Sequence, residues 1–143
     1  MDFEHLSVLL SDTVALLAPR AGGVYLDGTL GGGGHAEAVL DAIGPDGRLL
    51  GIDRDPAALS AATARLSRFN AGGVQRFQAV RGSYADMVDL AAHWAPFDGV
   101  VLDIGVSSPQ LDHADRGFSF RADGPVDMRM DPDAPLDAAG LLD

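Results

Sequence analysis

The sequence predicts an α/β protein built on a doubly wound parallel sheet. Three observations lead there. Helical and strand-like patterns alternate over the first hundred or so residues, in the order α-βα-βα-βα-β. A run of four glycines, Gly31–Gly34, separates the first strand pattern from a helical one. The next hydrophobic run closes on Gly51-Ile52-Asp53, which sets an acidic residue at a strand end 22 residues after Gly31.

Each element has a local reason. Ser7–Ala18 spaces Val8, Leu9, Leu10, Val14, Leu16 and Leu17 as a helix does, and Pro19 stops it. Val24–Thr29 reads as the first strand and His35–Ile43 as a helix closed by Gly44-Pro45-Asp46-Gly47. Arg48–Ile52 is the second strand. Asp55-Pro56 is an N-cap followed by proline at the first helical position, opening a helix that reaches about Phe69. Gly72-Gly73 breaks the chain before a third strand, Val74–Val80. Ala85–Trp94 is expected to be helical and Phe97–Asp103 to be the fourth strand, apolar enough at Val100-Val101-Leu102 to be covered on both faces. Right-handed crossovers place all four in one sheet, with strand one inside and strand four at an edge. An apolar edge invites self-association. From Gly105 the texture changes to Gly, Ser, Pro, Asp and Arg, with no periodic segment before Leu136–Leu142.

Composition narrows the function classes. The 143 residues suffice for one domain with a core of mostly Ala, Val and Leu, since hydrophobic residues make up 47% and aromatics only 6%. There is no cysteine, so neither a disulfide framework nor a thiolate metal site is available. The four histidines show no metal spacing. No run approaches a membrane span, and the N-terminus lacks the order of a signal peptide, so a cytoplasmic protein is expected. The net charge of −11 speaks against a nucleic-acid partner for these residues alone.

The motifs point to a nucleoside cofactor. Only glycine lets the backbone pass close under a ligand, and a helix N-terminus offers unpaired N–H groups to it. Gly31-x-Gly33-x-x-Ala36 fits the relaxed dinucleotide fingerprint, and Asp53 stands where a carboxylate accepts bonds from two ribose hydroxyls. The other reading of Asp53 is a helix cap or ion-pair partner. Asp27, just before the loop, favours S-adenosylmethionine over a dinucleotide: it would meet an amino-acid ammonium and repel a pyrophosphate. Tyr84 either stacks on adenine or packs on the sheet edge. Asp103–Gln110 ends the fourth strand, facing the same crevice, with a carboxylate, two hydroxyls and an amide; alone, it also reads as a polar turn. Arg116, Phe118, Phe120 and Arg121 form a loop suited to stacking on unpaired bases, or one pinned down by its two phenylalanines.

With these residues in view the chain resembles the bacterial 16S ribosomal RNA cytosine-N(4)-methyltransferases. The resemblance lies in residues 5–10, Tyr25–His35, Gly51–Asp55, Leu102–Asp112 and Arg116–Met130, and extends over essentially the whole chain. The most specific part is Gly105-Val106-Ser107-Ser108-Pro109-Gln110-Leu111-Asp112 followed by Arg116-Gly117-Phe118-Ser119-Phe120.

The resemblance implies a Rossmann-like class I S-adenosylmethionine-dependent methyltransferase domain, of which residues 1–143 are the first half of the doubly wound sheet. A helical substrate domain and the remaining strands are then missing, along with much of the basic RNA-binding surface. It implies cofactor binding at Gly31, Gly33, Gly34, His35, Asp53, Tyr84, Asp103 and Gln110. Tyr84 stands where relatives usually have Phe. It places the catalytic loop at Asp103, Ser107, Ser108 and Pro109, and RNA contacts at Arg116, Phe118, Phe120 and Arg121. The implied partner is 16S ribosomal RNA in the small subunit, and the reaction is methyl transfer to the N(4) amine of a decoding-region cytosine, with no metal. Two other functions fit some of the same residues: half of an NAD-dependent oxidoreductase, on the glycine fingerprint, or a nucleotide-binding module without activity.

Overall fold

The computed structural model describes residues 4–104 and 108–142, and it divides into two units, residues 1–103 and 104–143. The first unit runs α1 (Glu4–Leu17), β1 (Val24–Asp27), α2 (Gly34–Ile43), β2 (Arg48–Asp53), α3 (Pro56–Leu66), β3 (Phe77–Arg81), α4 (Met87–Leu90) and β4 (Gly99–Val101). All pairings are parallel, in the order β3-β2-β1-β4, with Leu26 beside both Leu50 and Val100. The second unit contains two short helices, α5 (Ser108–Asp112) and α6 (Ala138–Leu142), joined by turns. Among the described residues no helix is long and apolar enough to cross a membrane.

β2 is buried on both faces, which explains its continuous apolar run. Leu49 faces one core cluster with Tyr25, Leu30, Val39, Leu40, Ile43, Leu66, Phe69 and Phe77. Leu50 and Ile52 face the other, with Leu26 and Ala91 and the half-buried Met87, Leu90, Trp94 and Phe97.

Helix α3 begins as its sequence requires. The Asp55 carboxylate accepts the Ala57 N–H at 3.0 Å, and Pro56 follows at the first position, where no N–H is needed. It ends at Leu66 rather than near Phe69, passing into a tighter 3₁₀ segment over Ser67–Gly73. There Asn70 fixes the entry to β3. Its side-chain oxygen accepts the N–H groups of Arg76 (2.9 Å) and Phe77 (2.8 Å), and its amide donates to the Phe77 carbonyl. This clamp makes the strand start at Phe77 instead of Val74.

Two further elements are shorter than expected. The helix expected over Ala85–Trp94 is only α4 plus single turns, with Ser83 capping the Ala85 N–H and Trp94 donating its N–H to the Ala91 carbonyl. β4 keeps three residues because its flanks bond elsewhere. Asp98 exchanges backbone and side-chain bonds with Val24, and the Asp103 N–H goes to the Thr29 hydroxyl at 2.6 Å. The expected cover on both faces of β4 is absent: Val101 is buried, whereas Val100 and Leu102 are 45% and 42% exposed.

Arg76 closes the C-terminal end of α2. Its guanidinium donates to the carbonyls of Leu40, Gly44 and Gly47 and lies over the Phe69 ring, 5.2 Å from its centre. The carbonyls at that helix end have no partner within the helix, so a half-buried planar cation suits them.

Candidate active site

The carboxyl ends of β1, β2 and β4 meet at the glycine turn, all within the first unit. β1 leaves the sheet at Asp27, and the Leu30 N–H is taken by the Ile52 carbonyl at 2.9 Å, tying the turn to β2. Gly31 and Gly33 have φ of +54° and +88°, the left-handed region that favours glycine. Gly33 is the N-cap of α2, and no side chain caps the helix there. The first N–H groups of α2 are therefore available to a ligand.

Asp53 organises this turn. One carboxylate oxygen accepts the Gly31 N–H at 2.7 Å and the other the Asp55 N–H at 2.8 Å. The two readings of Asp53 are thus not exclusive. It holds the backbone of the cradle, and each oxygen keeps a second lone pair for a hydroxyl.

Asp27 is the anomaly of the site. It is 2% exposed; Oδ1 accepts the Thr29 N–H at 3.1 Å, and Oδ2 has no hydrogen-bond partner among the described residues. Burial pushes its carboxyl up to about 7, opposed by the Thr29 bond and reinforced by the negative charges of Asp53 and Asp103. A buried acceptor left unpaired is costly, and native sites that keep one commonly present it to a ligand.

A pocket of about 160 Å³ is lined by Leu9 and Thr13 of α1, His35 of α2, and Leu102 and Asp103 after β4. The structure therefore gathers Gly31, Gly33, Gly34, His35, Asp53 and Asp103 around one turn. Tyr84 belongs with them: a Cβ built on Gly28, at the β1 exit, would lie 3.3 Å from the Tyr84 Cβ and 2.5 Å from Leu102. The tyrosine is 39% exposed, neither buried in the sheet nor free of it.

The remaining residues singled out by sequence belong to the second unit or are outside the described residues. Ser107 is outside the described residues, as are the side chains of Ser108 and Pro109. Gln110 is buried, on α5 in the second unit. In that unit Arg116 donates to the carbonyls of Arg129 (3.2 Å) and Met130 (2.9 Å), so it braces its own loop. Phe118 is half-buried, whereas Phe120 is fully exposed, at 107%, beside an exposed Arg121. Sequence reasoning gave no role to Leu9 and Thr13.

A parallel sheet wound on both faces, a glycine turn after β1 and an acidic residue closing β2 define a Rossmann-like domain of the class I S-adenosylmethionine-dependent methyltransferase type. Solved structures agree on the fold. Fibrillarin of Aeropyrum pernix, solved with natively bound S-adenosyl-L-methionine, superposes with a TM-score of 0.51 at 20% identity, over 61% of this chain and 36% of that one. An S-adenosylmethionine-dependent O-methyltransferase of Thermotoga maritima gives 0.51 at 17% identity, over 68% and 34%.

The profile of the MraW methylase family matches residues 2–143, and the chain belongs to that family. Curated relatives include the ribosomal RNA small subunit methyltransferase H of Trichlorobacter lovleyi, 56% identical over 143 residues, and that of Myxococcus xanthus, 55% identical over 141. Each match covers 99% of this chain but only 44% and 43% of the relative, so the chain spans less than half the length of these proteins.

Proposed function

We propose that this domain binds S-adenosylmethionine and serves the transfer of its methyl group to the exocyclic N(4) amine of a decoding-region cytosine in 16S ribosomal RNA. Family membership supports the reaction class, and the names of the relatives support ribosomal RNA as the substrate. The observation that carries the cofactor assignment is the unpaired Asp27 oxygen beside the Asp53-anchored turn. It suits a ligand with a ribose at one end and a cationic amino acid at the other.

The bound cofactor supplies a methyl group already activated on a positively charged sulfur. In this reading Asp53 receives the ribose hydroxyls, and the open backbone at Gly31, Gly33 and Gly34 lets the ligand lie against the start of α2. Tyr84 offers its ring to the adenine. His35, Asp103 and Gln110 complete the cofactor set. Asp103, with Ser107, Ser108 and Pro109, forms the loop that orients the amine. An exocyclic amine is a weak nucleophile because its lone pair is delocalised into the ring. The loop therefore has to align it with the methyl and accept its N–H bonds. The base enters unpaired. Phe118, Phe120 and Arg121 supply stacking surfaces for flanking RNA, and Arg116 supports the loop that presents them.

A dinucleotide is the second reading of the glycine turn. The charges of Asp53 and Asp103, which act on Asp27, disfavour it, because a pyrophosphate there would face both of them. Calorimetry with S-adenosylhomocysteine and with NAD separates the two. Binding of the first alone is expected, and binding of NAD alone would overturn the proposal. Tritiated methyl transfer to small ribosomal subunits by the same domain within a protein of its relatives' full length tests the reaction. Cofactor binding without transfer there would leave a non-catalytic nucleotide module.

A further inference from the structure

The three acidic side chains at the ends of β1, β2 and β4 do different work. Both oxygens of Asp53 are engaged by backbone N–H groups, and Asp103 is exposed. Asp27 alone is sealed from solvent with one oxygen unpaired. We infer that Asp27 carries a proton in the free domain and gives it up when a cationic ligand enters, so that cofactor binding releases a proton. The inference rests on the proposed cofactor reading and extends it to the protonation state of the site.

The geometry gives the reason. A carboxylate at Asp27 is stabilised by a single backbone bond, from Thr29, while two like charges act on it from β2 and from the end of β4. Burial first, and those two charges after it, push its carboxyl up to about 7. Among the described residues, the charges that act on Asp27 are those of Asp53 and Asp103, with no cation beside them. His35 is on the first turn of α2, and Tyr84 is on the turn after β3. Arg65 of α3 reaches toward Gly34 but is bonded to Glu37 at 3.0 Å. An ammonium placed against Asp27 would be the first positive charge to meet it. The step balances simply: the O–H bond of the Asp27 carboxyl breaks, its proton passes to buffer, and the freed lone pair accepts an N–H of the ligand's ammonium. At pH 7 about half a proton should be released per ligand, because a group titrating near 7 is half-protonated there. Affinity should rise about tenfold from pH 6 to pH 8.

The test is titration calorimetry of the domain with S-adenosylhomocysteine at pH 7 in phosphate and in Tris, whose ionisation heats differ widely. The expected result is a buffer-dependent heat equivalent to about half a proton released, absent in Asp27→Asn. Equal heats in the two buffers with wild-type binding intact would overturn the inference and leave the cofactor reading standing. Buffer dependence retained in Asp27→Asn would assign the proton to another group and overturn it too. Failure of the wild-type domain to bind at any pH would overturn the cofactor reading itself. The wild-type buffer comparison needs no folded Asp27 variant.

Discussion

Asp53 accepts the Gly31 N–H at 2.7 Å, so the acidic end of β2 holds the glycine turn that follows β1. Because the same carboxylate accepts the Asp55 N–H, it also fixes the approach to α3. One side chain thereby sets the spacing between the two loops that would flank a ribose.

Asp53→Asn keeps the shape but removes the charge and turns one acceptor into a donor. It should weaken binding of S-adenosylhomocysteine by about 2–3 kcal/mol, roughly a hundredfold. Calorimetry alongside a thermal melt checks this. Wild-type affinity in a folded variant would contradict the role given to Asp53.

The glycines of the turn should not be equivalent. Gly33 has φ +88°, and a Cβ there would lie 3.1 Å from Leu66 and 3.4 Å from Ala62. Gly33→Ala should therefore cost about 1–2 kcal/mol of stability even without ligand, because both the left-handed backbone and the packing of α3 resist it. Gly32 has nothing within 4 Å of such a Cβ, so Gly32→Ala should melt like the wild type. Urea denaturation of the pair measures the difference.

Asp27 should make the free domain less stable as pH rises. Its folded-state pKa, near 7, lies above the ordinary 3.8, so the folded protein holds the proton more tightly than the unfolded chain does. Its contribution is fully present below about pH 4 and is lost progressively up to about pH 7. Asp27→Asn, which cannot ionise, should be more stable than wild type at pH 8 by on the order of 3–4 kcal/mol, with the advantage gone near pH 4. Denaturation curves at the two pH values decide it. An advantage of equal size at both would mean that the side chain acts through packing alone.

Arg76→Met should destabilise the first unit by about 2–3 kcal/mol. It leaves the carbonyls of Leu40, Gly44 and Gly47 without the guanidinium that now bonds them. Hydrogen exchange should show the loss first at the end of α2.

In the second unit, Phe120→Ala should leave the melting temperature unchanged, since the ring is fully exposed. Within a full-length protein it should lower photocrosslinking to ribosomal RNA. Arg116→Ala should instead loosen its loop, because the carbonyls of Arg129 and Met130 lose their donor.

The order and parallel pairing of the strands were legible because β2 and β1 carry apolar residues on both faces and Asp55-Pro56 marks a helix start without ambiguity. Asp53 and Asp27 were legible as acidic residues at strand ends. The short form of β4 was not, because its limits are set by side-chain bonds to residues far along the chain, Asp98 with Val24 and Asp103 with Thr29. The late start of β3 depends on Asn70, which as a bare residue type suggests only a turn. That Leu9 and Thr13 of α1 wall the pocket depends on where that helix lies against the sheet, and periodicity alone does not report it.

The bond between Val24 and Asp98 spans 74 residues of chain, and it joins the inner strand to the last strand of the unit. Interior β1 is therefore made early but enclosed late. β2 can dock on it once the first crossover is formed, while its other edge stays bare until β4 arrives. Such long loop closures slow folding, because their entropy is lost before the contacts that reward it are made. In the proposed cofactor site the cradle at the end of β1 includes Asp103 as well as Asp53, so ligand binding should be among the last properties the folding chain acquires.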